Sequence, residues 1–333
     1  MRIRKTLALL LAMLVLVGCA QTPAEQEVES EYEGYVDVVP LVAEMDGTVS
    51  LEAEILALTE TVPAPTPALP EAVASGTKTK KGSKAVIDYS NTQDGYVMVQ
   101  FTGQTKTRIK AQVKGPTTTY TYNVTPGTWE VFPISDGNGK YQVSVFENVS
   151  GTKYAAVTSV QMDVKLKDEF APFLLANQYV NYKLDSKTVA KAKELVKPEM
   201  KVLDKVGAIY NFVVGNLVYD TQKAATVKSG YLPVVDTVLA EKKGICFDYA
   251  ALMTSMLRSQ GVPCKLVVGY AGTAYHAWIS VWSAETGWVD GAIMFDGKNW
   301  QRMDPTFASS GKKSESIMKY IGDGKNYTVK YLY

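Results

Sequence analysis

Histidine is almost missing from this chain: His276 is the only one in 333 residues, and cysteine occurs only at Cys19, Cys246 and Cys264. No Cys-x-x-Cys is present, so a zinc site lacks ligands, and three cysteines cannot build a disulfide framework. No acidic loop has the spacing of a calcium site. Neither a metal nor a cofactor is expected. No dense basic run is interleaved with aromatics, which argues against a nucleic-acid partner. Beyond residue 17 no apolar stretch reaches the roughly 18 residues a membrane helix needs. Residues 20–77 contain no Lys or Arg against twelve acidic residues. The near-neutral total of 35 basic and 34 acidic residues conceals this. Residues 78–333 carry 32 basic and 22 acidic residues, a net of +10.

The first segment fixes the expected compartment. Arg2, Arg4 and Lys5 precede an apolar run over 7–17 that is too short for a comfortable bilayer span and has a secretory signal layout. It ends in Leu16-Val17-Gly18-Cys19, which resembles the lipobox of bacterial lipoproteins. That resemblance implies acylation of Cys19 and an extracytoplasmic protein anchored to the cell membrane. The alternative is an ordinary signal peptide with an incidental cysteine. Two or more acyl chains would hold the chain stably at the surface, where one would not. The acidic stretch that follows turns Pro/Ala-rich at Pro63-Ala64-Pro65-Thr66-Pro67 and reads as an extended spacer. The basic body suits an anionic wall polymer as partner through long-range attraction. An ordinary solvated surface has the same balance and is the default.

Seven short segments rich in Val, Tyr, Thr and Phe occupy 85–90, 95–102, 108–114, 118–124, 129–134, 140–149 and 154–165. Turn chemistry such as Gly115-Pro116 and Thr125-Pro126-Gly127 divides them. This pattern predicts an all-β sandwich of immunoglobulin-like type, with no chemistry of its own. After Lys167 the period becomes helical. Ser186 is placed to cap a helix running to Lys197, Pro198 to start a second, and a third is expected over 234–241. Gly244-Ile245-Cys246 then leads into a helix that Gly261 stops. Strands are expected at 265–270, 276–282, 287–290, 293–295 and 300–303. Helices followed by an antiparallel sheet make an α+β plan. The expected divisions are a signal peptide over 1–18, an anchored linker over 19–80, a sandwich over 81–167 and a catalytic domain over 168–333.

Cys246 at a helix start sits beside unpaired N–H groups and the positive end of the helix dipole, which favour a thiolate and an oxyanion. A small buried cysteine is the plainer reading of that residue alone. His276, in Tyr275-His276-Ala277-Trp278, begins an expected strand whose alternation puts it with Trp278, Ser280 and Trp282. Its neutral ring can take a thiol proton; a half-buried structural histidine is the alternative. Asp304, before Pro305, can accept the other ring N–H and fix the tautomer. Asp290 and Asp296 are rivals with the look of turn residues.

The run Lys243-Gly244-Ile245-Cys246-Phe247-Asp248-Tyr249-Ala250, then Gly261-Val262-Pro263, Val268-Gly269-Tyr270, His276-Ala277-Trp278 and Trp300-Gln301-Arg302-Met303-Asp304-Pro305-Thr306, resembles the transglutaminase-like superfamily. Tyr219-Asp220 matches a frequent feature of its bacterial members. The resemblance covers about a third of the chain, 210–307. It implies a papain-like α+β core of helices packed on an antiparallel sheet. It also implies Cys246 as nucleophile, His276 as base and then acid, and Asp304 as orienter. Tyr219 and Trp278 are expected around these three. Cys264, where relatives often carry a basic residue, reads as a packed small side chain. The resemblance leaves the reaction open among peptidases, amidases, cross-linking acyl transferases and idle scaffolds. The expected activity is an extracytoplasmic cysteine hydrolase, a peptidase or amidase acting on a peptide or protein substrate in the envelope. Amide transfer to an amine and a catalytically idle binding scaffold are the alternatives. Trp278, Trp282, Trp288 and Trp300 either wall an acceptor tunnel or form plain core.

Overall fold

The computed structural model describes residues 71–289 and 327–333, with the backbone alone of 26–27, 290, 293–295 and 300–302. Among them no helix is long and apolar enough to cross a membrane. Nine strands form the first part: β1 (Gln26–Glu27), β2 (Thr79–Lys81), β3 (Ala85–Asp88), β4 (Tyr96–Phe101), β5 (Ile109–Lys114), β6 (Thr119–Asn123), β7 (Trp129–Pro133), β8 (Gly139–Ser150) and β9 (Lys153–Val164). They make two antiparallel sheets, ordered β1-β9-β8-β5-β6 and β2-β3-β4-β7. Alternation explains the layering. Ile109, Ala111 and Val113 of β5 are buried while Lys110, Gln112 and Lys114 are not. Ile87, Val97, Val99 and Phe101 of the other sheet share one core with them. The short strand β2 lies outside the seven expected.

The second part runs α1 (Lys187–Leu195), α2 (Val202–Asn216), β10 (Val218–Tyr219), α3 (Thr221–Thr226), α4 (Val235–Glu241), β11 (Lys243–Gly244), α5 (Cys246–Arg258), β12 (Cys264–Ala271), β13 (Ala274–Ser283), β14 (Gly287–Asp290), β15 (Ile293–Phe295), β16 (Trp300–Arg302) and β17 (Tyr327–Leu332). Ser186 caps α1 through the Val189 N–H at 3.3 Å, as its position predicts. Asp236 of α4 takes the N–H groups of Lys187 and Thr188 at 3.1 and 2.8 Å, tying α1 to α4. The second helix starts at Val202 rather than at Pro198, because 197–200 close a turn through the Met200 N–H and the Lys197 carbonyl. The helix α3 and the strand β17 were not expected.

Every residue of α5 is buried. A helix that is apolar nearly all round belongs in the middle of a fold, and α1, α2, α4, β12 and β13 all pack on it. The sheet beside it is antiparallel in the order β14-β13-β12-β17. This mixed fold of helices on antiparallel strands is the α+β class expected. Tyrosines join the two parts: Tyr122, stacked on Phe132 of the facing sheet at 4.3 Å, meets Tyr333 at 5.9 Å, and Tyr179 lies flat on Tyr333 at 3.9 Å. Tyr120 meets Tyr331, and Tyr179 meets Phe247 of α5.

Candidate active site

Gly244 and Ile245 deliver Cys246 to the first position of α5, where its side chain is almost wholly buried. The cap residue Ile245 has no side-chain acceptor to offer the first turn. Asp248 supplies half of a capping box instead, accepting the Ile245 N–H at 2.8 Å. The remaining first-turn N–H groups and the dipole are available to an anion at the sulfur. Cys246 and Cys264 are both free thiols, so no disulfide competes for the nucleophile.

His276 lies on β13, two residues inside the strand rather than at its first position, opposite Gly269 of β12 and buried. The strand begins earlier because the hairpin turn lies at 272–273, so Ala274 and Tyr275 already pair with Ala271 and Tyr270. Register confirms the alternation: His276, Trp278 and Ser280 stand opposite Gly269, Val267 and Lys265. Trp278 lies 6.1 Å from the imidazole, centroid to centroid, and 5.1 Å from Tyr327 of β17. Cys264, whose thiol touches Thr254 of α5, belongs to the other face. Gly269 is required where it stands: a Cβ there would meet the Thr328 carbonyl oxygen at 2.0 Å and the Trp278 ring at 2.9 Å. Its lack of a side chain lets β17 close against the strand pair that carries His276. α5, which begins at Cys246, packs against β13, the strand that carries His276, on the face of Cys264 rather than that of His276. Asp304, its rival Asp296, and Cys19 lie outside the described residues. Asp290 ends β14, described by its backbone alone.

Tyr219 pairs in register with Gly244 through the short parallel β10–β11 contact and is half-buried. The next residue, Asp220, donates its N–H to the Gly244 carbonyl at 2.9 Å and caps α3 through the Lys223 N–H at 2.9 Å. That backbone bond, aided by Lys243 at 3.4 Å, holds the Asp220 carboxyl below the usual carboxylate range. Lys223 then reaches the fully buried Asp248 at 2.7 Å. Tyr231 donates to the other Asp248 oxygen at 2.5 Å and accepts from Lys223 at 2.5 Å. Burial, then the Asp248 hydrogen bond, hold the Tyr231 phenol far above its ordinary value, so it stays a donor. Sequence reasoning singled out none of these three; Asp248 in the motif beside Cys246 was the one available signal.

Cys264 is fully buried, and burial pushes its thiol up to about 11, which suits the packed small residue expected there. The tryptophans divide. Trp278 belongs to the surroundings of His276. Trp282 packs on Phe170 at 4.4 Å and Trp288 on Phe173 at 5.4 Å, under the Lys265 ammonium. Those two make structural contacts with the segment that joins the two parts. The side chain of Trp300 lies outside the described residues.

A thiol at the start of a buried helix, packed on an antiparallel sheet that carries an imidazole, defines a class, and the family comparison agrees. Residues 189–305, about a third of the chain, match the family model of the transglutaminase-like superfamily. The uncharacterized protein YebA of Bacillus subtilis is 22% identical over 204 residues, 54% of this chain and 27% of that protein. A protein-glutamine gamma-glutamyltransferase of Pseudomonas aeruginosa is 27% identical over 111 residues, 29% of this chain and 14% of that protein. The chain therefore spans under a third of either curated relative. Among solved structures, a candidate cysteine protease from Cytophaga hutchinsonii aligns with a TM-score of 0.35 and 16% identity, over 69% of this chain and 72% of that one. Red sea bream transglutaminase aligns with a TM-score of 0.28 and 12% identity, over 68% and 53%.

Proposed function

We propose that this chain is an extracytoplasmic, lipid-anchored cysteine hydrolase that cleaves peptide or amide bonds in envelope proteins through a thioester. The observation that carries it is Cys246 at the first position of α5, with α5 packed on the strand bearing the sole histidine. In the proposed reaction His276 takes the Cys246 proton as the sulfur attacks the amide carbon. First-turn N–H groups of α5 receive the oxyanion. The tetrahedral species collapses as His276 returns the proton to the departing amine, leaving a thioester. His276 then takes a proton from water, whose oxygen attacks the thioester. Carboxylic acid leaves and the thiol is restored. Asp304 accepts the second ring N–H throughout.

Transfer to an amine is the second reading, favoured by the likeness to a protein-glutamine gamma-glutamyltransferase. Hydrolysis is preferred because transfer wins only where water is kept out and an amine is held in line, and an envelope enzyme meets water constantly. A labelled primary amine supplied with a peptide-amide substrate separates the readings by product mass. Mostly acid product, absent in Cys246→Ala, is expected. Mostly amine-bearing product at millimolar amine would favour transfer. No Cys246-dependent product across a broad peptide library would point to a scaffold. For the anchor, Cys19→Ala is expected to leave the membrane fraction; a variant that fractionates like its parent overturns acylation.

A further inference from the structure

The proposed reaction makes no use of the buried group beneath the start of α5. A carboxylate there is awkward. Asp248 stabilises the helix start by pairing with the Ile245 N–H and with the dipole. The same negative charge, within one turn of Cys246, opposes formation of a thiolate. Lys223 stands 2.7 Å from that carboxylate and cancels its charge, while Tyr231 occupies the remaining oxygen. The placement is built from both sides. Asp220 ties α3, and with it Lys223, to the strand that runs into Cys246. Gly244 has no side chain because a Cβ would meet that of Asp248 at 2.5 Å.

We infer that Lys223, Tyr231 and Asp248 are positioning residues for Cys246, a charge-neutral clamp that fixes the start of α5 while leaving its sulfur free to ionise. The inference rests on reading Cys246 as the nucleophile. Lys223 is the member that reconciles cap and thiolate: it lets Asp248 hold the helix start without a net negative charge beside the sulfur. It also gives Tyr219-Asp220 a purpose, since that dipeptide docks and caps the short helix that presents the lysine. The other charged or titratable groups on elements around α5 are Asp220 and Lys243 at β10 and β11, Glu241 and Asp236 on α4, and His276 on β13. The same elements also carry Asp204, Lys205 and Tyr210 on α2, Lys187, Lys191, Lys193 and Glu194 on α1, Cys264, Lys265 and Tyr270 on β12, Tyr219 on β10 and Tyr275 on β13, with Tyr249 and Arg258 on α5 itself. None of these changes in the test.

The test is the pH dependence of Cys246 alkylation by iodoacetamide in the full chain, read by peptide mass alongside turnover. Lys223→Met should move the alkylation midpoint up by about one pH unit, as an uncompensated neighbouring carboxylate would. Asp248→Asn should move it down, because the ammonium is then unopposed. The double variant, neutral again, should return close to the parent, as should Lys223→Arg. A purely structural role predicts shifts of one sign in both single variants, or lost turnover with no shift. Either result overturns the clamp. If Asp248→Asn fails to fold, Lys223→Met against Lys223→Arg decides alone, since Lys223 is partly exposed. Turnover that persists in Cys246→Ala sinks the hydrolase reading instead, and the alkylation midpoints still decide the clamp.

Discussion

Cys246 opens α5 and Cys264 opens β12, and their surroundings separate two chemically identical groups. Cys264 is fully buried, and burial raises its thiol to about 11, so it stays protonated and inert at neutral pH. Cys246 faces the unpaired end of a helix. The proposed reaction sets a hierarchy. Cys246→Ala and His276→Ala should each remove nearly all turnover, measured on a peptide amide. Asp304→Asn should leave more, because it orients the ring without moving protons. In a serine triad the corresponding loss is about 10⁴, and a thiolate–imidazolium pair is less dependent on its third member. Full activity in His276→Ala would end the assignment, since no second histidine exists to replace it. Cys246 and His276 were singled out in the sequence by scarcity. Lys223, Tyr231 and Asp248 were not, because their meaning lies in a meeting of residues 25 and 17 positions apart. No spacing rule encodes that.

At the scale of elements, period and turn chemistry placed most strands within a residue or two, β5 to β7 among them, because β5 and β6 bury alternate residues and turns rich in Gly, Pro or Asp separate the strands. The misses share a cause. The six-residue α3 is too short to hold itself as a helix. It exists because Asp220 caps it and Lys223 anchors it. Tyr327–Leu332 alternates visibly, yet its place beside β12 depends on a pairing across more than fifty residues and on a register shift at Val268/Gly269. Glycine at 269 reads from sequence as a plain motif letter. In the fold it is the point at which β17 and the Trp278 ring press against β12, so a methyl group there would collide with backbone rather than with a yielding side chain. Pro198 suits a helix start, but the tertiary turn at 197–200 delays α2 to Val202.

The two parts of the molecule are separate in sequence pattern and continuous in core. Buried residues of both sheets of the first part belong to one hydrophobic cluster with those of α5, β12 and β13. Arg258, at the last turn of α5, fastens this junction. It is fully buried and donates from Nε to the Cys264 carbonyl at 2.8 Å, from Nη1 to Leu175 at 2.5 Å and from Nη2 to Tyr333 at 2.6 Å. It thereby joins α5 to β12, to the end of β17 and to the segment leaving the first part. Burial pulls its pKa down to about 10. It therefore remains charged at neutral pH, and its position at a helix C-terminus favours that charge. Arg258→Met removes the desolvation cost but strips a charged donor from each of three main-chain oxygens. Bonds from charged donors contribute about 1.5–3 kcal/mol each, so the loss outweighs the relief. A net destabilisation of about 2–4 kcal/mol is expected, read as a lower urea midpoint with an unchanged slope. Faster amide exchange at Leu266, whose N–H donates to Tyr333, should accompany it. Arg258→Lys should recover little, because one ammonium cannot reach three oxygens set for a planar fork. A stability of Arg258→Met within about 0.5 kcal/mol of the parent would mean that desolvation cancels the bonds, and that the shared hydrophobic core and the tyrosine contacts hold the two parts together without them.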